Sequence, residues 1–582
     1  MTTTGLEIGF RAMARRVWRF SANGWALGAF LVAGLIAVPV ATVVWQASAP
    51  ADDIWQHLAS TVLARYINTT LFLMAGVGVG TFVIGAGTAW LVTMCRFPMS
   101  RAFEWALLLP LAVPTYVLAY VYTDLLEYAG PVQGALRSLF GWRTPHDYWF
   151  PEIRSLSGAI AMMTLVLYPY VYLLSRAAFL EQSVCVLEVS RTLGKNPWQG
   201  FASVALPLAR PAIVVGVSLV LMEALNDFGT VDFFAVATFT AGIYDVWLNM
   251  NNIAGAAQLA CVLLLFVLAL IAVERVARRN QRYHHTSSKY SSLPSYRLKG
   301  GRGVLAFFAC LAPVGLGFLL PAGVLADYAL LHYREALSGQ FWTYAGNSLL
   351  LSSVTALVAV LIGLFMAYGV RLGGGPAVKA AARLASTGYA VPGAVLAIGV
   401  IVPVAGLDNA LDALSRNVFG IPLGLLMSGT IFAVIYGYLA RFTALSFGTL
   451  EAGLAKITLN MDGAARTLGC GPGALLGRVH LPMMRGSVLT AALLVFVDCM
   501  KELPMTVILR PFNFETLATY VHQFASDELL EESALGALTI VGVGILPVIL
   551  LSLTIARSRP GQRADKAARR PAVDEGFEGV AP

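Results

Sequence analysis

The sequence predicts an all-α integral membrane protein, with about twelve transmembrane helices in two homologous halves of six. Three observations lead there. Only 12% of the 582 residues are charged and 58% are hydrophobic, with mean hydropathy +0.72; soluble domains carry about 25% charged residues. Apolar runs near the ~20 residues needed to cross about 30 Å of hydrocarbon recur along the chain. One segment is also written twice: residues 188–207 read EVSRTLGKNPWQGFASVALP, and residues 463–482 read GAARTLGCGPGALLGRVHLP. The offset is 466 − 191 = 275 at the arginines and 481 − 206 = 275 at the Leu-Pro pairs, so the copies align without a gap.

The elements follow in order. Residues 1–23 hold Arg11, Arg15, Arg16 and Arg19, with no obvious small-residue cleavage site, so 24–46 reads as a retained first span and not a signal peptide. The remaining spans are expected at 69–93, 103–125, 156–178, 210–230, 255–275, 303–326, 347–370, 384–405, 422–441, 485–503 and 534–556. The third, fifth, ninth and eleventh contain internal proline or charge. Residues 24–275 form the first half, 276–302 a basic linker, 303–557 the second half and 558–582 a tail. Asn68-Thr69-Thr70-Leu71 and Val113-Pro114 find counterparts in Asn347-Ser348-Leu349-Leu350 and Val391-Pro392, at offsets of 279 and 278. Six spans per half is an even number, so the repeats run parallel.

Basic loops set the orientation. Arg96 and Arg101, the surroundings of the first twin segment, the linker with eight Lys/Arg between Arg275 and Arg302, the Arg371–Arg383 stretch and the tail all fall on one side of the span count. That side is the cytoplasm by the positive-inside rule, and both termini lie there. Acidic loops, with Asp52, Asp53, Asp408, Asp412, Asp527 and Glu528, alternate with them. The formal charge of +8 is thus a topology signal and argues against a nucleic-acid partner. The linker reads as a plain positive-inside connector, with an anionic-lipid site as the lesser alternative. Six scattered cysteines form no CxxC pair, which excludes a zinc site or a disulfide framework of the usual spacing. No HExxH or GxSxG motif supports an intramembrane enzyme, and His284-His285 sit in the linker.

Both twin segments fall between spans four and five of their half, on the cytoplasmic side. Gly194 and Gly469 permit a sharp turn at positive φ. Pro197 and Pro472 suit the first turn of a short helix. Leu206-Pro207 and Leu481-Pro482 then lead into the next span. Such a helix–turn–helix knob transfers motion of a docked cytoplasmic partner to the membrane helices.

These residues resemble the EAA loops of prokaryotic ABC importer permeases, E-A-A-x-x-x-G followed after nine residues by I-x-L-P. Glu188, Gly194, Val204, Leu206 and Pro207 fit the pattern, with Arg191 between the first two. In the second copy Gly469, Val479, Leu481 and Pro482 fit, beside Arg466. Gly463 takes the acid position there, and Asp462 lies one residue earlier as a possible substitute. The resemblance implies a type I permease fold, two copies of a cytoplasmic ABC ATPase docked on the loops, and a periplasmic substrate-binding protein. It places the chain in the bacterial inner membrane. The chain itself offers no Walker A motif: its sole Gly-Lys pair, Gly194-Lys195, is followed by Asn196. ATP and magnesium would serve the partner ATPase, this chain would bind no cofactor, and it is not expected to be an enzyme.

Acids recur after the twin segments. The 275 offset pairs Glu223 with Asp498, Asn226 with Lys501 and Asp227 with Glu502. A charge inside a span costs about 2.5–3.5 kcal/mol, so it faces protein or water. Asp227 lies twenty residues, about 30 Å of helix, beyond Pro207. The four acids would line an outer vestibule, with Asp227 and Glu502 as transient contacts for a metal ion. Structural pairing by Lys501 and helix capping by Asp227 are the weightier alternative. The strings MEALNDFGTVDFF, TFTAGIYDVW and KELPMTVILRPFNFETLAT resemble the fused permeases of ferric-iron ABC importers, as does Tyr168-Pro169-Tyr170, which equally suits packing at a proline kink. The expected activity is therefore ATP-driven ferric-iron import. Permeases for thiamine, sulfate, molybdate, polyamine or phosphonate are the alternative substrate classes, and a gradient-driven secondary transporter is the competing mechanism.

Overall fold

The computed structural model describes residues 24–50, 54–182, 192–194, 197–279, 296–337, 339–372 and 375–557. Eleven of its helices are long and apolar enough to cross a membrane, and a bent pair makes twelve. Backbone polar groups have no water partner in hydrocarbon, so helices that satisfy them internally are the expected solution. The spans are Gly24–Gln46, Leu63–Met94, the bent pair from Ser100, Leu156–Glu181, Trp198–Asn226 and Ile253–Arg279 in the first half. In the second they are Gly301–Leu331, Gly339–Arg371, Gly393–Phe419, Ile431–Ala455, Pro472–Met500 and Leu530–Arg557.

Five expected spans change, the fifth by starting at Trp198 and not at 210. The third is broken: Ser100–Ala112 and Thr115–Phe140 meet at 88°. Val113 (ψ 124°) and Pro114 (ψ 144°) are extended, because the proline ring disfavours α geometry at the residue before it. The ninth begins at Gly393, not 384, since Val391 (ψ 126°) and Pro392 (ψ 144°) repeat the break. The tenth starts at Ile431, not 422. The apolar stretch before it is folded over two carboxylates: Leu423 and Gly424 N–H donate to Asp412, and Met427 and Ser428 N–H to Asp408. The eleventh starts at Pro472, thirteen residues before the expected 485.

Within each half one close approach recurs. A Cβ on Gly85 would meet the Tyr168 carbonyl at 2.9 Å, and one on Gly363 would meet the Phe447 nitrogen at 2.9 Å. The offset is 363 − 85 = 278, so the second helix of each half lies on the fourth at equivalent glycines.

The halves exchange their first helices. Ala26, Ala29 and Ala33 of span 1 share a core with Ala381, Ala382, Ala385, Phe447 and Leu450 of the second half. Small residues let these backbones approach closely. Cys310, Val314 and Leu325 of span 7 join a core that holds spans 2 to 4 of the first half together with residues of spans 8 and 12. The repeat boundary and the packing boundary therefore differ. One further element bridges them: β1 (Cys95–Arg96) pairs in parallel with β2 (Tyr296–Arg297) at the end of the linker.

Candidate functional site: twin hinges and a cavity between the halves

Gly194 (φ +79°) and Gly469 (φ +82°) both adopt the left-handed conformation that the motif demands. Glu188 and Arg191 lie outside the described residues. The expected separate short helix after each glycine is instead continuous with the span. From Pro197 and from Pro472 the helix runs through one wide turn, Phe201–Ala205 and Leu476–His480, into Leu206–Asn226 and Leu481–Met500. In each turn a leucine N–H bonds five residues back, Leu206 to Phe201 and Leu481 to Leu476. Pro207 and Pro482 have no N–H to give, and their rings crowd the carbonyl four residues earlier. The wide turn accommodates them without breaking the helix. Leu193 and Leu468, one residue before each glycine, are 73% and 84% exposed.

Asp462 does not replace the missing acid on the docking surface. It is buried, bonded to Arg371 Nε at 2.9 Å and Nη2 at 3.0 Å and facing His480 Nε2 at 2.9 Å. Arg371 also donates to the Leu454 and Ile457 carbonyls, which end span 10. The acid therefore fastens helix Leu459–Thr467 to spans 8, 10 and 11. The Arg371 guanidinium, and to a lesser degree His480, hold its carboxyl below the ordinary range. Arg466 is the basic residue in the last turn of the same helix.

All four sequence-selected acids come together. Glu223, Asp227, Asp498 and Glu502 line a cavity of about 730 Å³ with Tyr170, Tyr389, Arg441, Lys501 and the Val113-Pro114-Thr115 break. Their engagements differ. Asp227 accepts from the Thr115 hydroxyl and, at 2.8 Å, from Thr230 N–H. Glu502 accepts from Met505 and Thr506 N–H at 3.1 and 3.2 Å and pairs with Arg441 at 3.2 Å. Both acids therefore cap the short helices that follow, Gly229–Phe233 and Pro504–Leu509. Glu223 accepts from Tyr389 at 2.8 Å and lies 3.8 Å from Arg441, both across the half boundary. Asp498 pairs with Lys501 at 2.9 Å. The side chains of Glu223 and Asp498 are 22% and 18% exposed, against 3% for Glu502. Glu502 is thus the buried member of the four, while Glu223, Asp227 and Asp498 are half-buried. Among the described residues no three His, Cys, Asp or Glu side chains are grouped to hold a metal ion.

The sequence reading passed over Arg441, Tyr389 and Thr115. Arg441 had a signal: a lone cation in an apolar span is expensive and marks a buried partner. Tyr389 and Thr115 had none, since only the proline breaks carry them to the cavity. Of the Tyr168-Pro169-Tyr170 trio, Tyr168 is buried in the core and Tyr170 reaches the cavity wall.

Residues 81–282 match the family model described as the inner membrane component of binding-protein-dependent transport systems. That stretch holds most of the first half and its hinge, which the second half repeats. The first half is thus similar to membrane permeases of the binding-protein-dependent class, and the second half repeats it in the same polypeptide. Among known proteins it is similar to the Fe(3+)-transport system permease protein FbpB 2 of Haemophilus influenzae, 26% identical over 507 residues that cover 84% of this chain and 90% of that one. It is also similar to the putative ferric transport system permease protein FbpB 1 of the same organism, at 25% over 77% of this chain and 71% of that one. A putative 2-aminoethylphosphonate transport system permease protein, PhnV of Salmonella paratyphi A, is 27% identical over 42% of this chain and 84% of its own length.

Proposed function

We propose that this chain is the membrane subunit of an ATP-driven importer that passes ferric iron, delivered by a periplasmic binding protein, across a bacterial inner membrane. Two copies of a separate cytoplasmic ATPase would dock on the twin segments, with ATP and magnesium bound there. The basic loops support a cytoplasmic position for those segments and for both termini.

One observation carries the mechanism. Each hinge glycine precedes a single continuous helix, Trp198–Asn226 or Pro472–Met500, of 29 residues. At 1.5 Å per residue that is about 43 Å, enough to link the cytoplasmic face to the far side of the hydrocarbon. The end remote from the hinge carries Glu223 and Asn226, or Asp498 and, just beyond it, Lys501. Displacement of a docked ATPase therefore reaches the cavity through one rigid rod per half. Cross-half bonds, such as Gly393 N–H to Asn226 at 2.6 Å and Tyr389 to Glu223, would be exchanged as the rods move.

The cargo reading rests on the full-length ferric relatives and on the cavity charge, four acids against Arg441 and Lys501, a formal 2 − 4 = −2. The two cations and the phosphonate-permease relative favour an oxyanion as the second reading. Uptake of radioiron into proteoliposomes holding the chain, its ATPase and its binding protein tests both. ATP-dependent iron uptake that falls in Glu223→Gln/Asp498→Asn is expected. Uptake driven by an ion gradient alone, or selective for phosphonate, would sink the ferric importer reading.

A further inference from the structure

The short strand pair joining the halves builds a basic groove that the transport reading does not use. Parallel pairing sets Arg96 directly opposite Arg297, and Leu298 N–H donates to the Arg96 carbonyl at 3.0 Å. Like charges opposite each other destabilise a strand pair. Arg101 and Lys299 line the same open groove, and no acid lines it. Among the described residues the ion pairs involve other side chains, so none of these four cations is neutralised. Four exposed cations held together by backbone pairing repel one another, and a bound anion would offset that repulsion.

The location narrows the anion. The groove lies where span 2 ends at Met94, the bent span starts at Ser100 and span 7 starts at Gly301. Apolar helices leave it on two sides, with Trp105 49% and Leu305 72% exposed. Tryptophan is enriched at headgroup depth, and basic pockets at cytoplasmic helix ends suit lipid phosphates. We propose that the Arg96–Arg101–Arg297–Lys299 groove binds a phosphate-bearing anion, supplied by the headgroup of an anionic membrane lipid. The site takes only the cytoplasmic orientation from the reading above. A bound phosphate would hold the linker end, and so the start of the exchanged span 7, against the loop after span 2.

The full-length chain in detergent micelles, titrated with phosphatidylglycerol or phosphatidylcholine and read by native mass spectrometry, tests this. Wild type should retain phosphatidylglycerol selectively, and acylation of Lys299 should slow in its presence. Arg96→Gln/Arg297→Gln should weaken retention roughly 10- to 30-fold. Arg96→Lys/Arg297→Lys, and Arg383→Gln elsewhere on the same face, should retain it. Equal retention of both lipids, or undiminished retention in the Gln pair, overturns the proposal. If the Gln pair fails to fold, Lys299 protection in wild type decides alone. Protection by inorganic phosphate and not by phosphatidylglycerol would keep the anion site and reassign its source. Labelling Lys299 in sealed vesicles of known orientation reads the topology separately.

Discussion

Where both are described, the two hinge segments share a glycine turn and a wide helical turn, and their charged residues differ. Both have a glycine near φ +80°, an exposed leucine before it and a wide turn ahead of Leu-Pro. The second is fastened by Arg371, Asp462 and His480. At the repeat offsets, 371 − 278 = 93, 462 − 275 = 187 and 480 − 275 = 205, the first half has Thr93, Leu187 and Ala205. Conversely, Glu188 of the first half is met by Gly463. Both copies keep the glycine turn and the wide turn that leads into a span, while the charged residues around each are private to one half. The cavity repeats the lesson. Asp227 and Glu502 cap equivalent helices, whereas Glu223 reaches across to the other half and Asp498 pairs within its own.

The sharpest way to break this comparison is to remove one partner of the triad. Asp462→Leu leaves the Arg371 guanidinium buried without its acid, which should cost about 3–5 kcal/mol locally. Hydrogen exchange across 459–467 reads this as lost protection. Arg371→Met/Asp462→Leu, which removes both charges as the first half does, should recover part of it. A neutral single variant would show that the triad fastens nothing.

Next come the hinges themselves. Nothing lies within 4 Å of a Cβ built on Gly194 or Gly469, so the penalty in Gly194→Val and Gly469→Val comes from backbone strain alone. It should be roughly 1–2 kcal/mol in each, with matching losses of permease-dependent ATPase activity. Unequal losses would refute the backbone equivalence.

Acid should separate the segments by a smaller amount. The Asp462 carboxyl is depressed from 3.8 by Arg371 first and His480 after. A depressed acid contributes stability that is present above its unfolded value and lost as pH falls through its folded one. Protection of 459–467 should therefore be flat from neutral pH down to about 5 and fall below about 4. A fall already between pH 7 and 5 would show that Asp462 is not the group responsible.

The smallest stability effect belongs to the knob tips. Leu193→Ser and Leu468→Ser are exposed changes and should shift stability by no more than about 0.5 kcal/mol. Each should nonetheless weaken co-purification of the ATPase. Wild-type recovery with both changed would remove the leucines from the docking surface.

Much of this was legible in the chain. Arg191-Thr192-Leu193-Gly194 against Arg466-Thr467-Leu468-Gly469 fixed the duplication, and glycine at the turn foretold positive φ. The breaks at Val113-Pro114 and Val391-Pro392 were visible as repeated dipeptides, but not the 88° bend at the first. The stretch 422–430 misled because hydropathy does not register Asp408 and Asp412 drawing loop N–H groups over themselves. Asp462 misled because its neighbour in sequence, the vacant acid position, mattered less than Arg371, ninety-one residues away.

The sequence by itself determined span number, the parallel repeat, the sidedness signal and the twin hinges. These depend on composition and short-range chemistry: apolar length, basic loops, and residues that permit or forbid particular backbone angles. Only the tertiary structure decided that the first helices are exchanged, that four acids share one cavity, which of them are spent on capping, and that Asp462 faces inward. Those outcomes depend on which side chains meet across hundreds of residues, where small-residue packing and the need to neutralise every buried charge select the partners.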